Sequence, residues 1–263
     1  MKGGRWLKLY SALVYAWLYL PIAVMMVFSF NNARRNVVWK GFTLSWYARL
    51  PSNIELMTAL YNSLLLAFCA TALSVLFATL AAYAMVRHPA FRGRQGYATL
   101  LNVPMMIPEV VMGVGLLLFF VRADLPLSFW SLVAAHVVFC LPYAVGTIRA
   151  RLLSLKSSSL EDAAMDLGAT EWQAFYKITL PLAWPAIFSG ALLTFTMSFE
   201  DFVTSFFVAG IGTTTLPIQI YSMMKFGITP EVNALATLLL AGSLFLIALA
   251  FILPATVRRL RRL

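Results

Sequence analysis

Apolar residues fall into six blocks, near positions 9–30, 59–86, 98–121, 130–149, 182–208 and 232–256. Each is about 20 residues or longer, the length a helix needs to cross a hydrocarbon core of roughly 30 Å. The first block holds Pro21 and ends Phe28-Ser29-Phe30-Asn31, with no small-x-small site, so it is expected to be retained as a span. The third carries Pro104, Pro108 and Gly113 and is predicted to be kinked or partly broken, a geometry that survives only where protein or water covers the backbone. Two further short helices are predicted beside the spans. One, near 43–50, lies among Trp39, Trp46 and Tyr47, and the other carries Ile218, Ile220, Tyr221, Met224 and Phe226 between glycines and prolines.

Between the fourth and fifth blocks lies a polar insert, residues 151–181. Within it Leu160, Ala163, Ala164 and Leu167 recur at i, i+3, i+4 and i+7, giving a helix with one shallow apolar face. Ser159 and Asp162 have capping-box spacing at its start, and Gly168 suits the left-handed residue that ends it. Thr170 and Gln173 repeat the capping pattern for a second helix, predicted to stop at Lys177 before Pro181. A helix of this kind is an ordinary cytoplasmic loop or a peg offered to a soluble partner.

With 61% hydrophobic and 11% charged residues, the composition excludes an ordinary soluble domain of 263 residues. The chain reads as one all-α integral membrane domain, 1–263, with six transmembrane helices. Its 20 cations are distributed unequally. Fourteen fall on the side of both termini and the insert, against six on the other side (Arg34, Arg35, Lys40, Arg49, Arg122 and Lys225). The positive-inside rule then places the termini and insert in the cytoplasm. The net charge of +10 is thereby a topology signal, and no clustered soluble face suggests a nucleic-acid partner. Cys69 and Cys140 sit within spans and read as small packing residues. His88 and His136 are isolated, so no metal site is expected. No G-x-x-x-x-G-K-[ST] loop occurs. The nearest approach, Lys156-Ser157, follows Leu155 where glycine is required.

Three carboxylates lie inside the apolar blocks. An ion there costs about 2.5–3.5 kcal/mol by insertion scales, so each calls for a cavity or a partner. Glu109 follows Pro108 and fits either the first turn of a restarted helix or a solute contact. Glu200 and Asp201 lie in the outer half of the fifth block. On a continuous helix Thr194, Ser198, Asp201 and Ser205 share one face, with Thr196, Glu200 and Thr204 on the flank. The block contains no basic residue. The stripe reads as a wet cation pathway lined by Asp201 with Glu200 beside it, or as acids that cap or bridge to another subunit.

Asp162-Ala163-Ala164, then Gly168, then Ile178-x-Leu180-Pro181 resembles the signature loop of binding-protein-dependent ABC importer permeases, with Asp162 where the family usually has Glu and Glu161 just before it. Ser198-Phe199-Glu200-Asp201-Phe202-Val203, Thr215-Leu216-Pro217, Pro230-Glu231-Val232-Asn233 and Gly41-Phe42-Thr43-x-x-Trp46-Tyr47 are similar to the polyamine (spermidine/putrescine) branch, with Glu200 in place of the usual Asp. The resemblance implies a type I importer permease fold and a coupling helix carrying Glu161, Asp162, Ala163, Ala164 and Gly168. It further implies a second permease, two ATPase subunits that bind the ATP and Mg, a periplasmic solute-binding protein, and a bacterial inner-membrane location. The chain itself then needs no cofactor and catalyses nothing. Its expected pathway residues are Asp201, Glu200, Glu109, Ser198 and Ser205. An amino-phosphonate or opine cargo, or a gradient-driven transporter, are the alternatives.

Overall fold

A computed structural model describes residues 3–33, 38–88, 92–156, 159–225 and 229–244. The described residues are helical apart from loops and one isolated bridge, Asn31 to Phe42. In order the helices are α1 (Gly3–Phe28), α2 (Ser45–Arg49), α3 (Ile54–Arg87), α4 (Arg94–Met106), α5 (Glu109–Arg122), α6 (Phe129–Lys156), α7 (Leu160–Asp166), α8 (Glu171–Ala174), α9 (Leu180–Glu200), α10 (Val203–Val208), α11 (Leu216–Lys225) and α12 (Pro230–Leu244). Four helical runs are long and apolar enough to cross a membrane, or five if α4 and α5 form one bent span. The expected sixth span is described only as far as Leu244, and its remainder lies outside the described residues.

The chain forms two compact units, Thr58–Gln219 and the remainder, Met1–Met57 with Ile220–Leu263. In the remainder, α1 is apolar all round and leaves Trp6, Tyr10, Trp17 and Tyr19 exposed, as a lipid-facing helix does. The Asn31 amide donates to the Val38 carbonyl (2.9 Å) and accepts from Lys40 N–H (2.9 Å), and the Asn31 carbonyl accepts from the Trp46 indole (2.9 Å). This fixes α2 where the aromatic pattern predicts a short helix. Asn53 donates to Glu231 (2.9 Å) and thereby ties the start of α3 to α12.

The unit Thr58–Gln219 carries the candidate site. Ala78, Ala81 and Ala82 of α3 pack with Ala144, Val145 and Ile148 of α6 and with Ala183 and Ile187 of α9. Small residues let helix backbones approach closely, which replaces the missing hydrophobic drive between helices in lipid.

Two spans are discontinuous. Between α4 and α5, Ile107 and Pro108 are extended (ψ 131° and 135°) and the axes bend by 112°. Pro108 forces the preceding residue out of the helical region, so this break follows directly from sequence. The second break corrects the continuous fifth helix. α9 ends at Glu200, Asp201 is extended (ψ 119°), and α10 starts at Val203. At its other end α9 departs from expectation too. Instead of stopping before Pro181, the helix runs on from α8 through a π-turn, Phe175–Thr179. Leu180 N–H reaches back five residues to Phe175 O, so the ladder shifts around the N–H that Pro181 lacks.

α10 lies against α5. A Cβ on Gly113 would come within 2.8 Å of Phe207 Cδ2. Gly113→Ala is expected to lower thermal stability by about 1–3 kcal/mol, the range for overpacking. Phe207→Leu should restore part of it in a melting assay.

Candidate functional site

Two local constructions in the unit Thr58–Gln219 collect the residues singled out by sequence. The first is the polar insert. Ser159 adopts φ 51° and its side chain caps nothing, so the expected capping box with Asp162 does not form. Asp162 instead pairs with Arg87 at the end of α3, 2.8 Å from Nη1. The same guanidinium lies 3.6 Å from Glu161 and 3.8 Å from Glu171, so one cation gathers three carboxylates from α7 and α8. Burial pushes the Glu161 carboxyl above the usual carboxylate range, with Arg87 opposing. Lys156 Nζ donates to the Val86 carbonyl (2.8 Å), a second tie to α3.

The far end of α7 is closed as predicted. Gly168 takes φ 93°, its N–H bonds to Met165 O (2.9 Å) and Ala169 N–H to Ala164 O (3.0 Å), the paired bonds of a Schellman motif. Thr170 and Gln173 form both bonds of their capping box, 3.2 and 3.0 Å. The result is a capped pair of short helices whose apolar face is largely uncovered among the described residues. α7 has no buried residue, Leu167 is 91% exposed, and Leu160, Ala163, Trp172 and Tyr176 are exposed, while Ala164 is half-buried. A small open cleft lies beside the peg, lined by Val86, Arg87, Leu152, Leu155, Glu161 and Leu182.

The second construction surrounds the break in the fifth span. Asp201 sits at the break itself. Its Oδ1 accepts Thr204 N–H (3.2 Å) and its Oδ2 accepts Ser205 N–H (2.8 Å), so the carboxylate supplies the acceptors that the first turn of α10 lacks. Across from it His136 of α6, fully buried, sets Nδ1 2.8 Å from Ser198 Oγ and Nε2 3.0 Å from Ser205 Oγ and 3.4 Å from Asp201 Oδ2.

Ser198, Asp201 and Ser205 therefore do come together, though not by helical register, which the break ends at Glu200. Thr194 of the expected stripe turns its hydroxyl to the Gly190 carbonyl of its own helix (2.9 Å). The Asp201 side chain is only 4% exposed, so it is enclosed by its own chain. Glu200 at the end of α9 and Glu109 in the first turn of α5 are both exposed, one carboxylate at each helix break. His136 is the participant that sequence spacing missed. Its only trace in the sequence is a titratable residue inside an apolar block opposite a polar stripe. Among the described residues no group of three metal-ligating side chains occurs. Cys140 is buried with its thiol 3.7 Å from Thr194 O.

Residues 74–262 match the family described as binding-protein-dependent transport system inner membrane component. The chain belongs to this family. The permease is 47% identical over 237 residues to the spermidine/putrescine transport system permease protein PotC of Haemophilus influenzae, covering 90% of this chain and 91% of that one. It is 41% identical to the putrescine transport system permease protein PotI of Escherichia coli K12 (90% and 86% covered). To the putative 2-aminoethylphosphonate transport system permease protein PhnV of Salmonella typhimurium it is 28% identical (90% and 89%). Its fold is that of a chain of a bacterial ABC transporter involved in alginate import, with TM-score 0.75, 18% identity and 94% of each chain covered. The methionine ABC transporter MetNI, in inward-facing form, gives TM-score 0.60 at 18% identity, with 80% of this chain and 95% of that chain covered. The permease is thus an all-α membrane transport component.

Proposed function

We propose that this permease is the membrane subunit of an ATP-driven importer of polyamines, of the putrescine and spermidine class, in the bacterial inner membrane. The observation that carries it is identity of 41–47% across about nine tenths of the chain with permeases named for spermidine and putrescine. The chemistry of the site agrees. Two exposed carboxylates, Glu109 and Glu200, stand at breaks in apolar spans, where a charge needs either a partner or a charged solute. A polyamine brings several ammonium groups that such carboxylates receive in place of water. Affinity at these points must stay low enough for release, so selection belongs to a separate solute-binding protein on the outer side.

The peg supports the drive. Its exposed Leu160, Leu167, Trp172 and Tyr176 give an apolar face on helices that also carry Glu161, Asp162, Asp166 and Glu171. That surface suits a groove in an ATPase subunit, which holds the ATP and Mg. We place the peg and both termini in the cytoplasm on the distribution of cations. A second, similar permease and two ATPase subunits complete the assembly. Closure of the ATPase pair on ATP then moves the peg, and through the Arg87 clamp it moves α3.

Uptake of radiolabelled putrescine by cells expressing the whole transport system tests the reading. Unlabelled spermidine should compete and 2-aminoethylphosphonate should not. Competition by the phosphonate alone would move the cargo to the class named for the 28% identical relative. Glu200→Gln is expected to lower the maximal uptake rate about tenfold, a transition-state difference near 1.4 kcal/mol. The half-saturating concentration should be unchanged, because selection lies elsewhere.

A further inference from the structure

We propose that His136 is a positioning residue for solute translocation, holding the two halves of the broken fifth span at a fixed angle so that Glu200 meets the passing solute. This rests on the reading of Glu200 as a pathway residue given above. The imidazole spans the break. One nitrogen faces Ser198 on the last turn of α9, and the other faces Ser205 on α10 together with the Asp201 carboxylate between them. α10 has six residues, fewer than two turns, and so little intrinsic helical stability. It is kept helical by the Asp201 cap and kept in place by what Ser205 and Phe207 touch. α6, by contrast, is a fixed post of 28 residues with buried positions along most of its length. A side chain of α6 that grips both sides of the break sets the direction in which α9 ends, and Glu200 is the last residue of α9.

The donor inventory fixes how the grip works. Asp201 is an acceptor only, and its two oxygens already receive the N–H groups of Thr204 and Ser205. We therefore assign the imidazole proton to Nε2, which faces Oδ2, shared between Ser205 Oγ and the carboxylate. Nδ1 is then the acceptor, and the Ser198 hydroxyl donates to it. Every polar atom of the ring is used across the break. An apolar residue would fill the same space without linking the two halves, and would strand two buried hydroxyls. A histidine that merely packed in the core would not need both nitrogens directed to opposite sides of one discontinuity.

The substitutions separate the two nitrogens. Glutamine at 136 places an amide donor near the position of Nε2, whereas leucine fills volume with no polar atom. In the complete transporter, His136→Leu is expected to assemble and to hydrolyse ATP in response to loaded binding protein within about twofold of the unsubstituted protein. It should import at least tenfold less putrescine per ATP consumed. His136→Gln should recover more than a third of the lost transport. A spin label at Phe206→Cys on α10 supplies a readout that needs no solute. Its spectrum should show a mobile component with His136→Leu that His136→Gln removes.

Equal import per ATP in His136→Leu, or His136→Gln no better than His136→Leu, would overturn the proposal. So would spectra that do not change. If His136→Leu does not assemble, Ser198→Ala and Ser205→Ala carry the test, each removing one hydroxyl. Each should lower import per ATP by about threefold or more with normal assembly, and unaltered ratios in both would refute the grip. Should the unsubstituted transporter import no polyamine while the spectra behave as described, the functional reading fails and the geometry of the grip stands.

Discussion

Arg87→Glu is expected to abolish coupled transport, with uptake and binding-protein-stimulated ATP hydrolysis each falling more than tenfold while the protein still inserts in the membrane. Arg87 is the guanidinium on which Glu161, Asp162 and Glu171 converge, at 3.6, 2.8 and 3.8 Å. Its worth to overall stability is small, because the Asp162 and Glu171 side chains are 57% and 58% exposed and such pairs contribute about 0.2–1 kcal/mol. In the coupling role proposed above its worth to transmission is larger. The Arg87 side chain is 16% exposed, and it ties the end of α3 to both short helices of the peg. Reversing its sign converts attractions into repulsions. Each such contact at 4 Å is worth about 1 kcal/mol in water and about 4 kcal/mol in a surface environment of intermediate dielectric. The peg then leaves the end of α3, and movement of the ATPase no longer reaches the span. Arg87→Lys keeps the charge but loses the planar fork, so it should keep part of the coupling. Hydrolysis that still responds normally to loaded binding protein in Arg87→Glu would remove the clamp from the account.

Asp201→Ala is expected to be the most damaging single change in the fifth span. It strands the N–H groups of Thr204 and Ser205 and leaves His136 without its carboxylate. Each unsatisfied buried group costs about 1–3 kcal/mol, and together they reach a large part of the 5–15 kcal/mol that holds a typical protein folded. Loss of assembled transporter is the expected outcome. The sharper experiment is Asp201→Glu. A carboxylate lining a wet conduit would tolerate one more methylene. A carboxylate that is 4% exposed and already bound by two amides has no room for it. Asp201→Glu should therefore lose at least tenfold in uptake while Asp201→Asn, which keeps the size and one acceptor oxygen, retains more. Normal uptake by Asp201→Glu would return Asp201 to the conduit wall.

What the sequence made legible was what is local. Pro108 dictated the break before α5, Gly168 the end of α7, and Thr170 with Gln173 the start of α8, each through bonds spanning a few residues. The break after Glu200 has no proline or glycine to announce it. It depends on a carboxylate folding back onto N–H groups three and four residues ahead, and helical periodicity runs straight through such a site. The two long-range ties were invisible for a related reason. Arg87 reads as one cation in a basic loop until Asp162, 75 residues later, is seen beside it. His136 meets Ser198 and Ser205 across separations of 62 and 69 residues. Where the pattern misled, at Ser159, a capping spacing was present but Ser159 takes a left-handed conformation and Asp162 pairs with Arg87. Pro181 misled in the opposite way, because a π-turn carries the helix past it.

The most direct test of the account is uptake of labelled putrescine into proteoliposomes holding the permease with and without its ATPase partner, with loaded binding protein on one face. Uptake is expected only when the ATPase and ATP are present on the face that carries the peg. It should persist when every ion gradient is collapsed. Uptake by the permease without an ATP-hydrolysing partner, or uptake that stops with the gradient while ATP remains, would contradict it.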